Sequence, residues 1–448
     1  MLSGPFDHIS SELIQKVIDV LLEYKIFNPK YLQLLFSNHL NQLDLSKASI
    51  RQNSVAETIG IRCHNLTRLC LKHCSSLSNK SLVSMVTYLK KLQHLNLAST
   101  KSDNQVLAAI AKNCMDLLTL DVACTSIQTL QPLLSHDLER PMGSLPCPKL
   151  QCVDFYMLML PQEHVVGFLR QRCDILTDFI FDNMMETVEN YTQNEISSSL
   201  NDLALQNRSG KGMQEKQETS SQLNDKRLKI RTLNCDMSHS SPDNSHGLHM
   251  TVLTCPNITS VILTNVSKCS QIVPLQNLEN LSKLSVSLCQ ECYVDGLLHY
   301  DTGIKPVLEK RGNRVISLHL NGFPVVDIQS IGIFCPNIKR IDLSHTKLAP
   351  VDDLVSKDGP YYRILEEFLY QSFEDEELDL DEVVSPLSFV LQKASALKCL
   401  KVKDCAELDD SIVSKAIEQH SFSNLEVFVL YSCNTITSES IEKSTSHR

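Results

Sequence analysis

A short pattern of aliphatic positions, Leu-x-x-Leu-x-Leu, recurs along the chain with polar residues at most of the x positions. Its clearest copy runs from Leu66 to Leu71, and other copies keep the same offsets with Ile, Val or aromatic substitutes. The alternation of apolar and polar residues within each copy predicts a short β-strand with one buried face. Counted by the first aliphatic residue, fourteen copies begin at Leu40, Leu66, Leu92, Leu117, Leu150, Leu176, Ile230, Ile258, Leu281, Val315, Ile338, Leu365, Leu397 and Leu425.

The spacing of the copies predicts how the chain returns from one strand to the next. Most copies follow the previous one after 23 to 28 residues, which is enough for one strand and one helix. The intervening segments show helical spacing, as at Leu82, Val86 and Leu89. This repeat length and pattern are the signature of a leucine-rich repeat. We therefore predict an α/β fold: a leucine-rich-repeat solenoid, or horseshoe, with a parallel concave sheet, convex helices and a short helical N-terminal cap.

Cysteine recurs at two fixed positions of the repeat, three residues before the first aliphatic residue and eight residues after it. Because cysteine packs as a small hydrophobic residue, it suits the tight corners between strand and helix. With the phrases over 147–155 and 335–343, these positions resemble the cysteine-containing repeats of F-box and antagonist-of-mitotic-exit proteins, over roughly residues 40–440. The ten cysteines are Cys63, Cys114, Cys147, Cys173, Cys255 and Cys335 at the first position and Cys74, Cys289, Cys405 and Cys433 at the second.

The apolar pattern also predicts the organisation of the chain. Residues 1–39 precede the repeats and are expected to form two helices, the first capped by Ser10 or Ser11 and the second over 31–36. Repeats are expected over 40–184 and 229–440. The segment 185–228 has few apolar residues to offset the entropy of ordering and predicts a disordered insertion. Residues 441–448 are expected to be a frayed tail.

Composition narrows the environment and the partners. The net charge of −10 argues against nucleic acid as a partner. Seventeen cysteines, many at repeat-defined positions, indicate reduced thiols. No signal peptide and no apolar run long enough to span a membrane is recognisable. We expect a cytoplasmic or nuclear protein that does not contact a membrane.

The N-terminal segment is a candidate adaptor-binding site. The run from Ile9 to Leu21 resembles the opening of an F-box, and it is also similar to the elongin-binding box of Zyg-type substrate receptors. Either resemblance implies docking onto a cullin-type ubiquitin ligase through a Skp-type adaptor or elongin B/C. The alternative is a plain cap over the first repeat. The residues implied in adaptor binding are Ile9, Glu12, Leu13, Val17, Leu21 and Pro29.

The polar positions of the predicted strands form a second candidate site, because they face the concave surface. Three lysines on one strand form a basic spot that could attract an acidic segment, including the chain's own run over 374–382; a solubilising loop is the alternative for that run. The candidate partner-binding residues are His94, Asn96, Asp121, Asp154, Tyr156, Arg340, Lys398, Lys401, Lys403 and Tyr431.

Motifs for chemistry are weak. Cys289 and Cys292 form a lone Cys-x-x-Cys, whereas a structural zinc site needs four ligands. No nucleophile elbow, phosphate-binding glycine loop or His-Glu-x-x-His motif is found, so we expect no catalytic residues, no metal and no cofactor. The resemblance implies a substrate-recognition subunit of a cullin-type E3 ubiquitin ligase that binds target proteins on its repeats. The alternative is a non-catalytic scaffold or regulator unrelated to ubiquitin.

Overall fold

The computed structural model describes Phe6, Gly359 and residues 8–24, 28–48, 50–135, 145–194, 227–238, 245–289, 298–351, 361–373, 385–420, 422–433 and 435–437. The chain divides into two compact units, Met1–Thr232 and Leu233–Arg448. Each unit is a leucine-rich-repeat solenoid in which short strands alternate with helices or 3-10 turns.

Within its described residues, unit 1 contains six strands that lie side by side in chain order, and all are parallel. They are β1 (Gln42–Asp44), β2 (Arg68–Cys70), β3 (His94–Asn96), β4 (Thr119–Asp121), β5 (Cys152–Asp154) and β6 (Asp178–Ile180). The labelled helices are α1 (Ser11–Glu23), α2 (Pro29–Leu35), α3 (Asn53–Arg62), α4 (Asn79–Tyr88), α5 (Asn104–Asn113) and α6 (Gln162–Arg172), with a 3-10 turn at Gln131–Leu133 and a further helical segment at 184–194.

Unit 2 repeats the arrangement with longer strands. The first is β7 (Thr232–Asp236), followed by β8 (Ser260–Val266), β9 (Lys283–Leu288), β10 (Ser317–Asn321), β11 (Val325–Val326), β12 (Arg340–Leu348), β13 (Glu367–Ser372), β14 (Cys399–Lys403) and β15 (Val427–Tyr431). They pair in chain order, except that β11 leaves the row and pairs with β12. The α-helices are α7 (Ser245–Thr254), α8 (Tyr300–Gly303), α9 (Lys305–Arg311), α10 (Ile328–Phe334), α11 (Pro386–Lys393) and α12 (Asp410–His420), with 3-10 turns at Cys269–Gln271, Val273–Asn277 and Gly312–Arg314.

The repeat register predicted from the sequence is confirmed. In each of the fourteen copies a strand begins two residues after the first aliphatic position, as β2 begins at Arg68 in the copy that starts at Leu66. The central residue of each three-residue strand in unit 1 is buried and in register, so that it packs beside its counterpart in the next repeat. In unit 1 this row is Leu43, Leu69, Leu95, Leu120, Val153 and Phe179.

The repeat cysteines lie mostly at buried corners, as predicted. Cys63, Cys114 and Cys335 end helices α3, α5 and α10. The Cys114 thiol donates to the carbonyl of Leu89, one repeat earlier, at 3.8 Å. Burial raises the pKa of Cys114 to about 12. The described cysteines are all free thiols, and the protonated side chains act as packing residues.

One boundary predicted from composition is wrong. Residues 184–194 are helical and bury Val188 and Tyr191, so the segment predicted to be disordered from 185 begins with ordered, packed structure. The remainder at 195–226, the acidic run at 374–382 and the tail at 441–448 lie outside the described residues. In the part of the chain that is described, none of the helices combines the length and apolar character needed to cross a bilayer.

Candidate interaction surfaces

Helix α1 closes the free edge of β1 with two polar side chains one turn apart. The Ser11 hydroxyl accepts hydrogen bonds from the backbone N–H groups of Asn41 at 3.2 Å and Gln42 at 3.4 Å. The Gln15 amide accepts from the Asp44 N–H at 2.9 Å and donates to the Asp44 carbonyl at 3.0 Å. An unpaired strand edge is a template for pairing with another chain. Helix α1 therefore serves as the cap of the solenoid.

The apolar residues of α1 fall into two separate groups. Ile14 and Ile18, each 1% exposed, face the first repeat beside Ser11. Leu13 and Val17 are 51% and 38% exposed, and Val20 is exposed as well. At about 100° per residue, the exposed group spans an arc of about 60°, centred about 120° from the buried group. The helix therefore presents an apolar stripe to solvent that capping does not require.

The local sequence explains why α1 lies as it does. Ser10 accepts a hydrogen bond from the Leu13 N–H at 3.3 Å and begins the helix, as predicted. Asn28 accepts from the Lys30 N–H at 2.9 Å and begins α2 at Pro29. Of the other predicted adaptor residues, Ile9 and Leu21 are half-buried and Glu12 is exposed. Tyr24, which helical spacing places on the same face as Leu13 and Val17, extends the exposed stripe. Val20 also extends it and was missed, although its spacing of seven residues from Leu13 would have revealed it.

The concave face of unit 1 forms a shallow groove of about 400 Å³ between β1 and β4. His94 Nδ1 lies 2.9 Å from the Thr119 hydroxyl, and Asn96 donates to Asp121 at 2.6 Å. Burial, with a smaller effect of Arg68, lowers the pKa of His94. The predicted residues His94, Asn96 and Asp121 therefore share one groove and are held by hydrogen bonds across adjacent strands.

Asp154 lies beside Asp121, because β4 and β5 pair with these two residues in register. Burial raises the pKa of Asp154, and the charges of Asp121 and Asp182 raise it further, against the opposing charge of Lys72. Within the described residues neither Asp121 nor Asp154 forms an ion pair. The face of unit 1 is acidic at this point.

Tyr156, the last predicted residue of this face, lies in the corner that follows β5. Its neighbours Met157 and Met159 are also exposed, and Met159 is 89% exposed. The two methionines were not predicted as site residues. The sequence could have revealed them, because Met157 stands at the position where the two preceding corners have the smaller side chains Ser99 and Cys124.

The concave face of unit 2 carries charges that pair across strands. Glu366 lies between Lys339, at 3.2 Å, and Lys398, at 2.8 Å, and the two lysines lower the pKa of Glu366. Arg340 lies 3.0 Å from Glu367. The predicted residues Arg340 and Lys398 therefore have carboxylate partners on neighbouring strands or just before them.

The predicted basic spot is smaller than its three lysines suggest. Lys403 lies 3.9 Å from Asp404, and its ammonium lies 5.4 Å from the centre of the Tyr431 ring. Lys401 alone makes no ion pair with any residue that the structure describes. On β15, Val427, Val429 and Tyr431 are exposed, so the spot combines charge with an apolar strip.

Among the described residues, no group of three or more His, Cys, Asp or Glu side chains is placed to hold a metal ion. The most perturbed thiols and phenols are buried in the core, where burial raises their pKa values and keeps them protonated.

No protein-family model matches the chain, and no curated protein matches it. Several solved structures are similar. An internalin, InlF, from Listeria monocytogenes shares 12% identity over 99% of this chain and 96% of its own, with a TM-score of 0.38. Rad7, in a yeast Rad7–Elc1 complex, shares 14% identity over 96% and 86%, with a TM-score of 0.41. LegL7, a leucine-rich-repeat protein from Legionella pneumophila, shares 12% identity over 88% and 94%, with a TM-score of 0.34. Likenesses of this strength say nothing about what the chain binds.

Proposed function

We propose that the chain is a substrate-recognition subunit of a cullin-type ubiquitin ligase, which docks through α1 and holds a target protein on its repeats. The observation that carries the proposal is the division of α1 into a capping face and an exposed apolar stripe. Capping uses Ser11, Ile14, Gln15 and Ile18. Leu13 and Val17, the anchors implied by the F-box and elongin-box resemblances, are left free for an adaptor.

The cap and the adaptor site are therefore compatible. A helix in a groove is recognised through apolar side chains at helical spacing, and Leu13, Val17 and Val20 have that spacing. An adaptor would supply the link to a cullin, while the solenoid would supply only proximity, by raising the effective concentration of target lysines near a ubiquitin-conjugating enzyme.

The test is capture of purified Skp-type adaptor or elongin B/C by the full chain and by the variant Leu13→Ser/Val17→Ser. Roughly half of each side chain remains to be buried, so the substitutions should remove about 1.5–3 kcal/mol of binding, a weakening of about 10- to 150-fold. The melting temperature should fall less than it would on replacing the buried Ile14 and Ile18, because a large part of Leu13 and Val17 already lies in solvent.

Two further measurements separate the alternatives. The control Ile61→Ser/Leu253→Ser removes two exposed aliphatic residues elsewhere and should leave capture unchanged. A fall in melting temperature of Leu13→Ser/Val17→Ser without a change in capture would assign the stripe to folding alone. A wild-type chain that captures neither adaptor would overturn the ubiquitin role and leave a scaffold that binds proteins by other means.

A further inference from the structure

The corner after β5 exposes more apolar surface than its neighbours in unit 1. Tyr156, Met157 and Met159 are all exposed, and the Met157 sulfur lies 3.8 Å from the Sγ of Cys124 in the preceding corner. We call these three side chains, with the carboxylates described below, the Tyr–Met surface. Contiguous exposed apolar side chains mark interaction sites more often than isolated ones do.

The fold does not require methionine at this corner. His73, Ser99 and Cys124 occupy the equivalent positions after β2, β3 and β4, and all have a positive φ of 54° to 66°, as Met157 does at 56°. The same left-handed turn thus forms with a polar or small side chain. The apolar character after β5 calls for an explanation outside the folding of the repeat.

Carboxylates border the apolar side chains. Asp154 accepts a hydrogen bond from the Tyr156 N–H at 2.9 Å, and Asp182 accepts one from the Met157 N–H at 2.8 Å. Asp121 is the registered neighbour of Asp154 on β4, and parallel strands lie about 4.8 Å apart. The charges of Asp121 and Asp182 raise the pKa of Asp154, and the charge of Lys72 lowers it. The carboxylates thus outnumber the cation around Asp154, and this border of the surface is acidic.

We infer that the Tyr–Met surface binds an extended segment of a partner protein in which Lys or Arg lies within one or two residues of a large aliphatic or aromatic side chain. The methionines fit such a side chain, because the unbranched thioether adapts to the shape of its partner. The carboxylates of Asp121 and Asp154 fit the cation. An acidic segment would meet like charge, and so would a second copy of this chain, whose net charge is −10.

The probe is an array of synthetic peptides that place Phe or Leu beside Lys or Arg, beside Glu, or beside Ser, with the full chain as the binding protein. We expect binding to the basic apolar peptides alone. Met157→Ser/Met159→Ser should weaken it by about tenfold or more, because two thioethers no longer bury against the peptide. Met115→Ser, at an exposed methionine after α5, should bind as the wild type does.

The carboxylates are tested by Asp121→Asn/Asp154→Asn, which keeps an oxygen for the backbone hydrogen bonds. This variant should bind the basic peptides about three- to tenfold less tightly and lose most of the dependence on salt. Glu57→Gln/Asp116→Asn removes the same charge from other elements and should have no such effect.

Three results would overturn the inference: equal binding of acidic and basic peptides, no binding of any peptide, or unchanged binding by Met157→Ser/Met159→Ser. Sedimentation that shows self-association of the wild type, lost in the methionine variant, would assign the surface to a second copy and would also overturn it. None of these measurements involves α1, so the inference and the adaptor proposal fail independently.

Discussion

Arg172 offers a quantitative test of how unit 1 is held together across the insertion between β4 and β5. Its side chain is fully buried. One nitrogen, Nη2, donates to the Leu133 carbonyl at 2.8 Å and to the Pro146 carbonyl at 2.7 Å, and the guanidinium lies 4.4 Å from the centre of the Phe168 ring. Nε and Nη1 have no hydrogen-bond partner among the residues that the structure describes. The side chain thus links the two ends of the segment that leads from the turn at Gln131–Leu133 back to β5.

The expected effect of substitution follows from two opposing contributions. Burial lowers the pKa of Arg172 to about 10, and this depression corresponds to a cost of about 3 kcal/mol for keeping the guanidinium charged in the folded chain. Arg172→Met removes that cost but leaves two carbonyls without a donor, at about 1–3 kcal/mol each. We expect a net loss of about 1 kcal/mol, because the thioether also retains contact with Phe168.

Arg172→Lys should be worse than Arg172→Met. Lysine keeps a buried charge, and its ammonium ends about one bond short of Nη2, so at least one charge-assisted hydrogen bond is lost. We expect the free energy of unfolding to fall by about 3 kcal/mol. The assay is urea denaturation of the full chain followed by circular dichroism, with Arg51→Met at an exposed arginine as the control. A lysine variant as stable as the wild type, beside a methionine variant that loses several kcal/mol, would refute the argument.

Two further predictions concern helix packing and pH. Gly60→Ala should destabilise the chain, because a Cβ at this position of α3 would lie 2.9 Å from the Met85 Cα of α4. Gly167→Ala on α6 should instead stabilise the chain by about 0.5–1 kcal/mol, because the nearest atom is 3.9 Å away and alanine favours the helix. Denaturation midpoints of the two variants that shift in the same direction would contradict this prediction. Burial raises the pKa of Asp342, but the hydrogen bond from His319 and nearby positive charge outweigh it and leave the pKa below its ordinary value. The free energy of unfolding of the wild type should therefore exceed that of Asp342→Asn above the ordinary aspartate pKa, and the excess should disappear as the pH falls through the lower pKa that Asp342 has in the folded chain. A stability difference between the two proteins that does not change with pH would exclude the mechanism.

Most of the fold was predictable because the repeat is a local pattern. A strand two residues after each first aliphatic position follows from the alternation of Leu69 and Leu71 with polar neighbours, and the same alternation recurs in each copy. Buried cysteines at the corners followed from their fixed offsets. The helix at 184–194 was missed because a low average hydropathy conceals the few apolar residues, such as Val188 and Tyr191, that it buries.

The candidate site was predictable only in part. The sequence shows apolar residues at six of the positions from Leu13 to Leu21, without indicating that Ile14 and Ile18 face β1 while Leu13 and Val17 face solvent. That division depends on where Ser11 and Gln15 find the free backbone groups of the first strand, which only the docked helix specifies.

The repeated Leu-x-x-Leu-x-Leu pattern by itself determined the solenoid, its strand positions and the residues available on the concave face. Tertiary structure alone decided which of those residues remain available to a partner. Lys398 is paired with Glu366, a residue 32 positions away, at 2.8 Å, while Met159 is left in solvent. The physical reason is that side-chain alternation is set within a strand, whereas ion pairing and exposure are set by the neighbouring repeat that each side chain meets.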